Sequence, residues 1–298
     1  MWFKNLQVYR LPKNWHVDLE QLEEQLARMV LLECSATAPR SLGWLPPRDG
    51  GPLLHLVNQQ CLLRLGVEEK LLPASVVKRF VNDKAREIEA REGRRVGRRE
   101  LRELSEQTTL ELLPRAFIRQ RSTYAWIDRG NGWLVIDAAS PAKAEELTEH
   151  LRKSIESLPA RLLKVNLSPA AAMSDWIAAG EGPSGFSIDQ DLELRSVDKA
   201  AVRYVKHPLD GQEIRQHIAD GKTVSRLAMT WRDRIAFVLN DLLQIKRLEF
   251  LDILKEQAET QSENADERFD LDCTLMTGEV AQLLDDLVAG LGGEAAQA

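Results

Sequence analysis

One segment constrains this chain most: a helical stretch wedged between segments that read as strands. Between Pro73 and Leu113, Val76, Val77, Phe80, Val81, Ala85 and Ile88 recur at helical intervals. Gly93 and Gly97 interrupt the pattern, and Leu101, Leu104 and Leu112 resume it until Pro114. So few apolar residues fall on each turn that two such helices cannot both lie inside a core. The pattern predicts a helical hairpin that projects from the body.

The flanks read as strands. Residues 53–58 and 61–67 precede the hairpin, and Tyr124–Asp128 and Trp133–Asp137 follow it. Between the last two lies Arg129-Gly130-Asn131-Gly132, a turn whose residues tolerate positive φ. Hairpins mixed with helices, without regular strand–helix alternation, predict an α+β fold of antiparallel sheets with flanking helices. A strand over 2–11 and a helix capped by Asp18 open the chain. A Pro/Gly-rich loop is expected from Gly43 to Pro52. Helices are expected from Pro141 and over 169–179, a loop over 180–190, and a strand pair within 195–206. A short helix at 211–220 precedes a meander over 222–231, 234–240 and 245–250, and a helix from Thr277 ends the chain. The expected organisation is a body over 1–72, the hairpin insertion over 73–121, the rest of the body over 122–180, and a C-terminal α+β unit over 181–298 with an acidic tail.

Charge is unevenly distributed. The net charge of −6 argues against a nucleic-acid partner only while the chain is treated as uniform. Residues 251–298 hold twelve acids and two bases, which leaves the preceding 250 residues at +4. Residues 78–121 hold 13 bases against 8 acids, and residues 195–250 hold 11 against 7. Lys78 and Arg79 open the first basic segment, and Arg94, Arg95, Arg98 and Arg99 crowd the hairpin turn. Arginines on a mobile tip can be a solvated face or phosphate contacts, since guanidinium forks match phosphate oxygens. Around Arg115, Arg119 and Arg121 no acid occurs between Glu111 and Asp128, which favours the phosphate reading. In the second segment Lys199, Arg203, Lys206 and Arg226 are candidates. On an ideal strand Lys199 and Arg203 share a face and Lys206 opposes them, so only a bend would unite the three.

Catalytic patterns are sparse. Gly221-Lys222-Thr223 resembles the end of a phosphate-binding loop, but Gln216 stands where the pattern needs Gly, and the element order is wrong. A helix end and strand start explain it. Glu68-Glu69-Lys70 matches half of a metal-dependent nuclease signature, but the nearest upstream acid, Asp49, lies in the Pro/Gly-rich loop. Asp270 and Asp272 sit in an acidic stretch with no identifiable metal partner. No other pattern nominates a catalytic residue, a metal site or a cofactor. Cys34, Cys61 and Cys273 are widely spaced among apolar neighbours and read as reduced packing thiols. Trp126 and Trp133 flank the Gly-Asn-Gly turn and read as sheet packing rather than base-stacking platforms. No apolar run approaches the ~20 residues of a membrane span. With no leader-like apolar segment after Met1, the chain is expected in the cytoplasm.

A resemblance adds to this. Trp2-Phe3-Lys4-Asn5-Leu6, Tyr9-Arg10-Leu11, Gly43-Trp44 with Pro46-Pro47, Glu68-Glu69-Lys70, Leu112-Leu113-Pro114-Arg115-Ala116-Phe117 and Trp126-Ile127-Asp128 carry it through the first half. Leu151-Arg152-Lys153-Ser154, Ser157-Leu158-Pro159, Lys246-Arg247-Leu248, Leu275-Met276-Thr277-Gly278-Glu279 and Gly290-Leu291-Gly292-Gly293-Glu294-Ala295 continue it to the end. In these motifs the chain resembles RdgC, a bacterial recombination-associated family. The resemblance implies a non-enzymatic, sequence-nonspecific binder of double-stranded DNA, with single-stranded DNA as a further partner. It implies a ring-shaped homodimer around DNA, antagonism of the RecA recombinase, a role in replication-fork repair, and association with the nucleoid. It also implies that a dimer contact between hairpin tips uses Phe117, which could otherwise be a core aromatic closing the hairpin base. Two other functions remain open: a nuclease built on Glu68, Glu69 and Lys70, and a recombinase-binding module acting through the acids of 252–272.

Overall fold

The computed structural model describes residues 1–13, 15–251 and 264–296. One antiparallel sheet of twelve strands organises them. Its strands are β1 (Leu6–Arg10), β2 (Arg40–Leu45), β3 (His55–Val57), β4 (Gln60–Leu71), β5 (Phe117–Asp128), β6 (Trp133–Asp137), β7 (Arg161–Leu162), β8 (Phe186–Arg195), β9 (Ala201–Tyr204), β10 (Thr223–Trp231), β11 (Ile235–Asn240) and β12 (Ile245–Phe250). The main order is β2-β4-β5-β6-β1-β12-β11-β10-β8-β9, with β3 beside β4 and β7 beside β1. An N-terminal half therefore meets a C-terminal half at β1 and β12, through the single pair Leu6↔Ile245. The helices are α1 (Leu19–Ala27), α2 (Ala74–Glu92), α3 (Arg98–Leu112), α4 (Pro141–Ser154), α5 (Pro169–Ala179), α6 (Gln212–Ala219) and α7 (Ala265–Gly290).

Strand alternation splits the core in two. Leu62, Trp126, Val135, Val8, Leu227 and Phe237 point to one face, where Met173 and Ile177 of α5 and Met276, Val280, Leu283 and Leu287 of α7 bury them. Leu63, Ala125, Ile127, Leu134 and Tyr9 point to the other, under Leu22 and Leu26 of α1 and Ala144, Leu147 and Leu151 of α4. Those two helices cover the N-terminal half only.

The helical hairpin is present. It joins β4 to β5, and Gly93 ends α2 in the left-handed conformation (φ 66°). Only Val77, Val81 and Ala85 of α2 and Thr108 of α3 are buried, as a projecting hairpin requires. Asp18 caps α1 by accepting from the amides of Glu20 and Gln21. Trp126 and Trp133 are both buried, so they are packing residues. Gly221 (φ 85°) ends the α6 segment and β10 starts two residues later.

Four expectations are corrected. The loop expected from Gly43 is strand β2 as far as Leu45, because Trp44 is buried and Gly43 lies so close to Val30 and Leu31 that no Cβ fits. The strands flanking the hairpin run much further, pairing over twelve residues from Gln60↔Asp128 to Leu71↔Phe117. Charged and polar residues there pair across the ladder, which hides the apolar alternation. The loop expected over 180–190 ends at Phe186, which is buried and starts β8. The last helix starts at Ala265, not Thr277, capped by Asn264, so Asp270 and Asp272 are helical.

Candidate nucleic-acid interface

On the C-terminal half, the sheet face opposite α5 and α7 carries no helix among the described residues. Its strands present alternate residues: Asp189, Asp191 and Glu193 of β8, Arg203 of β9, Arg226 of β10, Val238 and Asn240 of β11, and Lys246 of β12. A cavity of about 480 Å³ lies here, lined by Arg203, Arg226, Lys246, Arg247, Glu193 and Asn240 among others. Four cations face two acids in this cavity.

The cations are held in place. Glu193 is buried; its Oε1 accepts from Arg195 Nη2 at 2.7 Å and Ser225 Oγ at 3.0 Å, and its Oε2 accepts from Arg203 Nε at 2.5 Å. Arg226 Nη1 stands 3.9 Å from the same Oε2. Burial raises the Glu193 pKa, but the Ser225 hydroxyl and these guanidiniums outweigh it and hold the carboxyl below the usual range. Asp191 accepts from the Lys206 amide at 2.9 Å and faces Arg247 Nη1 at 3.6 Å. Lys246 Nζ donates to the Ala139 carbonyl at 2.9 Å, and burial with repulsion from Arg226 lowers its pKa. Lys199 (φ 64°) and Lys206 (φ 50°) lie in the turns on either side of β9. Both are exposed, and only Arg203 of that trio is on the strand.

The second basic region is the hairpin. Lys78 and Arg79 are exposed on α2, and Lys78 borders a groove with Lys70, Val81 and Leu101. Arg94 pairs with Glu92 and Glu100, each at 2.7 Å, and Arg99 with Glu103 at 3.1 Å. Arg95, Arg98 and Arg115 are exposed and form no ion pair among the described residues. On β5, Arg119 pairs with Glu69 at 2.7 Å and Arg121 with Glu146 at 3.0 Å. That hydrogen bond from Arg119 keeps the Glu69 carboxyl below its ordinary pKa. Arg119 and Arg121 therefore point to the α4 side of the sheet, the side that lies bare in the other half.

The structure does not bring the two basic regions together. Four strands, β6, β1, β12 and β11, separate β5 from β10, a spacing of about 24 Å at ~4.8 Å per strand. Phe117 begins β5 between Arg115 and Arg119 and is 84% exposed. It is not a core aromatic. Leu71, its cross-strand partner, and Ile118 are exposed beside it.

The nuclease-like motif does not converge. Glu68 and Lys70 lie on one face of β4 and Glu69 on the other. The Cys34 amide donates to Glu68 Oε2 at 2.9 Å, and Gln120 Nε2 donates to Oε1 at 2.7 Å. Lys70 Nζ donates to the Ser35 and Ala36 carbonyls at 2.5 and 2.8 Å. Asp49 faces Arg64 at 3.7 Å. Among the described residues no group of three or more His, Cys, Asp or Glu could hold a metal ion.

Comparison with known proteins now decides the family. The family model described as "Putative exonuclease, RdgC" matches residues 1–294. The chain belongs to the RdgC family. It is 51% identical over 303 residues to the recombination-associated protein RdgC of Dechloromonas aromatica, with all of both chains covered. It is 52% identical over 299 residues to that of Herminiimonas arsenicoxydans, again with complete coverage. That of Burkholderia ambifaria is 52% identical over 296 residues, covering 99% of this chain and 97% of the relative. These RdgC relatives are named for recombination.

Sequence reasoning missed Glu193, Arg195, Lys246 and Arg247. The signal was the alternation Asp189, Asp191, Glu193, which is visible only once β8 is known to start at Phe186. Of the acids of 252–272, residues 252–263 lie outside the described residues, and Asp266, Asp270 and Asp272 stand on α7. No helix among the described residues is long and apolar enough to cross a membrane.

Proposed function

We propose that the protein binds double-stranded DNA without sequence preference, and single-stranded DNA by the same phosphate contacts. Two copies close a ring around the duplex and so restrict access by the RecA recombinase, which modulates recombination and replication-fork repair. The observation that carries this reading is the uncovered C-terminal sheet face with Arg195, Arg203, Arg226 and Lys246 preset upon it. Such a face offers cations to phosphates, while Asn240 and Gln244 beside them are hydrogen-bonded to each other, and phosphate contacts position a protein without conveying sequence.

Phe117 supports the ring. An aromatic held outside the core, between two arginines, suits a self-complementary contact in which each copy presents the same patch. The basic hairpin and the bare face then lie on the inside, and the acids of α7 on the other side of the sheet. The mechanism is steric: an occupied duplex leaves no room for a recombinase filament. No catalytic residue, metal or cofactor is assigned, and the site of action is the nucleoid.

Incubation with plasmid DNA and magnesium tests the reading. The protein should shift circular and linear duplexes of any sequence, inhibit recombinase-driven strand exchange, and yield no cleavage products. Magnesium-dependent cleavage lost in Glu68→Gln would favour the nuclease instead.

A further inference from the structure

Glu193 stands out among the charged residues of the uncovered face. A carboxylate taken out of water is costly unless it is paired and hydrogen-bonded. Glu193 meets that requirement, and more. One buried charge faces Arg195, Arg203 and Arg226, while Ser225 Oγ donates a further hydrogen bond to Oε1. The three guanidiniums themselves are about half exposed. The surplus is two positive charges, aimed outward from one anchored point.

Each guanidinium has five N–H donors in a rigid fork. Arg203 uses Nε on Glu193 and Arg195 uses one Nη2, so both terminal nitrogens of Arg203 stay available for an oxyanion. The arginines come from three different strands: Arg195 from β8, Arg203 from β9 and Arg226 from β10. Without a central acceptor, like charges on adjacent strands would repel and splay apart. An exposed stability salt bridge needs one arginine, not three.

We infer that Glu193 is a positioning residue: it gathers Arg195, Arg203 and Arg226 into a preformed clamp for a backbone phosphate of nucleic acid. This rests on the DNA-binding reading above and specifies how one part of that surface engages phosphate. Preforming the clamp removes the cost of ordering three long side chains at the moment of binding.

A positioning role and simple electrostatics predict opposite outcomes. Glu193→Gln removes a negative charge from the DNA-binding face. If Glu193 only offsets positive charge, the variant binds duplex more tightly. If Glu193 positions the clamp, the variant binds about tenfold more weakly, because the arginines lose their common anchor. Fluorescence anisotropy with a short random-sequence duplex measures this, alongside thermal melting. Glu193→Asp keeps the charge and should recover part of the lost affinity. Equal or tighter binding by Glu193→Gln overturns the inference.

Should Glu193→Gln fail to fold, Ser225→Ala removes the hydroxyl that holds the carboxylate and keeps every charge. It must still weaken binding, and unchanged affinity overturns the inference. Sodium tripolyphosphate, titrated by calorimetry, separates the two claims. If wild type ignores duplex but binds tripolyphosphate in a Glu193-dependent way, the DNA reading fails and the clamp stands as an anion site. If wild type binds neither, both fail.

Discussion

Replacing Phe117 by alanine separates assembly from folding. In the monomer the ring is 84% exposed, so its removal opens no cavity and should change stability by no more than about 0.5 kcal/mol. At a dimer contact the same ring would be covered. A phenylalanine presents roughly 200 Å², so covering the exposed part at ~25 cal/mol per Å² is worth up to about 4 kcal/mol. That corresponds to about a thousandfold in the closing equilibrium of the contact. The assay is retention on covalently closed plasmid in high salt, compared with the same plasmid linearised, together with sedimentation of the free protein. Wild type should stay on circles and leave linear DNA by the ends. Phe117→Ala should leave both at similar rates while melting at the wild-type temperature. A fall of several degrees in Tm would show that Phe117 serves the fold. Unchanged retention together with unchanged dimerisation would refute a dimer contact at Phe117.

Three further outcomes follow from the packing. Gly43→Ala would bring a Cβ within 2.3 Å of the Leu31 nitrogen, so it should lower stability by about 3 kcal/mol in chemical denaturation. Glu68→Ala strands the Cys34 amide and Gln120, and should cost about 1–3 kcal/mol with no loss of any magnesium-dependent chemistry. Glu193 is held below its ordinary pKa of 4.5 in the native state, so its contribution is present above that value and disappears as pH falls through the native pKa. The melting temperature of wild type should therefore drop more steeply below about pH 4.5 than that of Glu193→Gln.

Much of the fold is legible where local chemistry acts alone. The helical period of 74–88, the Gly93 stop, the Asp18 cap and the Asn131-Gly132 turn each specify their own geometry. Legibility fails where pairing decides. Glu68-Glu69-Lys70 reads as a chemical motif, yet it is the far end of a long ladder in which Glu69 meets Arg119 and Glu68 meets Gln120. Gly43 reads as a turn residue and is instead a close approach of two backbones. The start of α7 is hidden because its first turn, Ala265 to Arg268, is exposed and buries no apolar group.

The candidate site divides in the same way. Arg203 and Arg226 are visible as bases in a region of net positive charge. Their common anchor, Glu193, is not visible, because an acid in such a region counts against binding until its burial is known. The net charge of −6 misleads for a related reason: it sums an acidic C-terminal segment, 251–298, with a preceding chain that carries +4.

The salt dependence of duplex binding reports directly how many phosphates the protein neutralises. Each phosphate neutralised adds about 0.9 to the slope of log K against log salt. One phosphate in the clamp of Arg195, Arg203 and Arg226 and a second on Lys246 predict a slope of about −1.8 per protomer from this face alone, the same for random duplexes of differing sequence. A slope near zero, or affinity that depends strongly on sequence, would rule out nonspecific phosphate binding by this face.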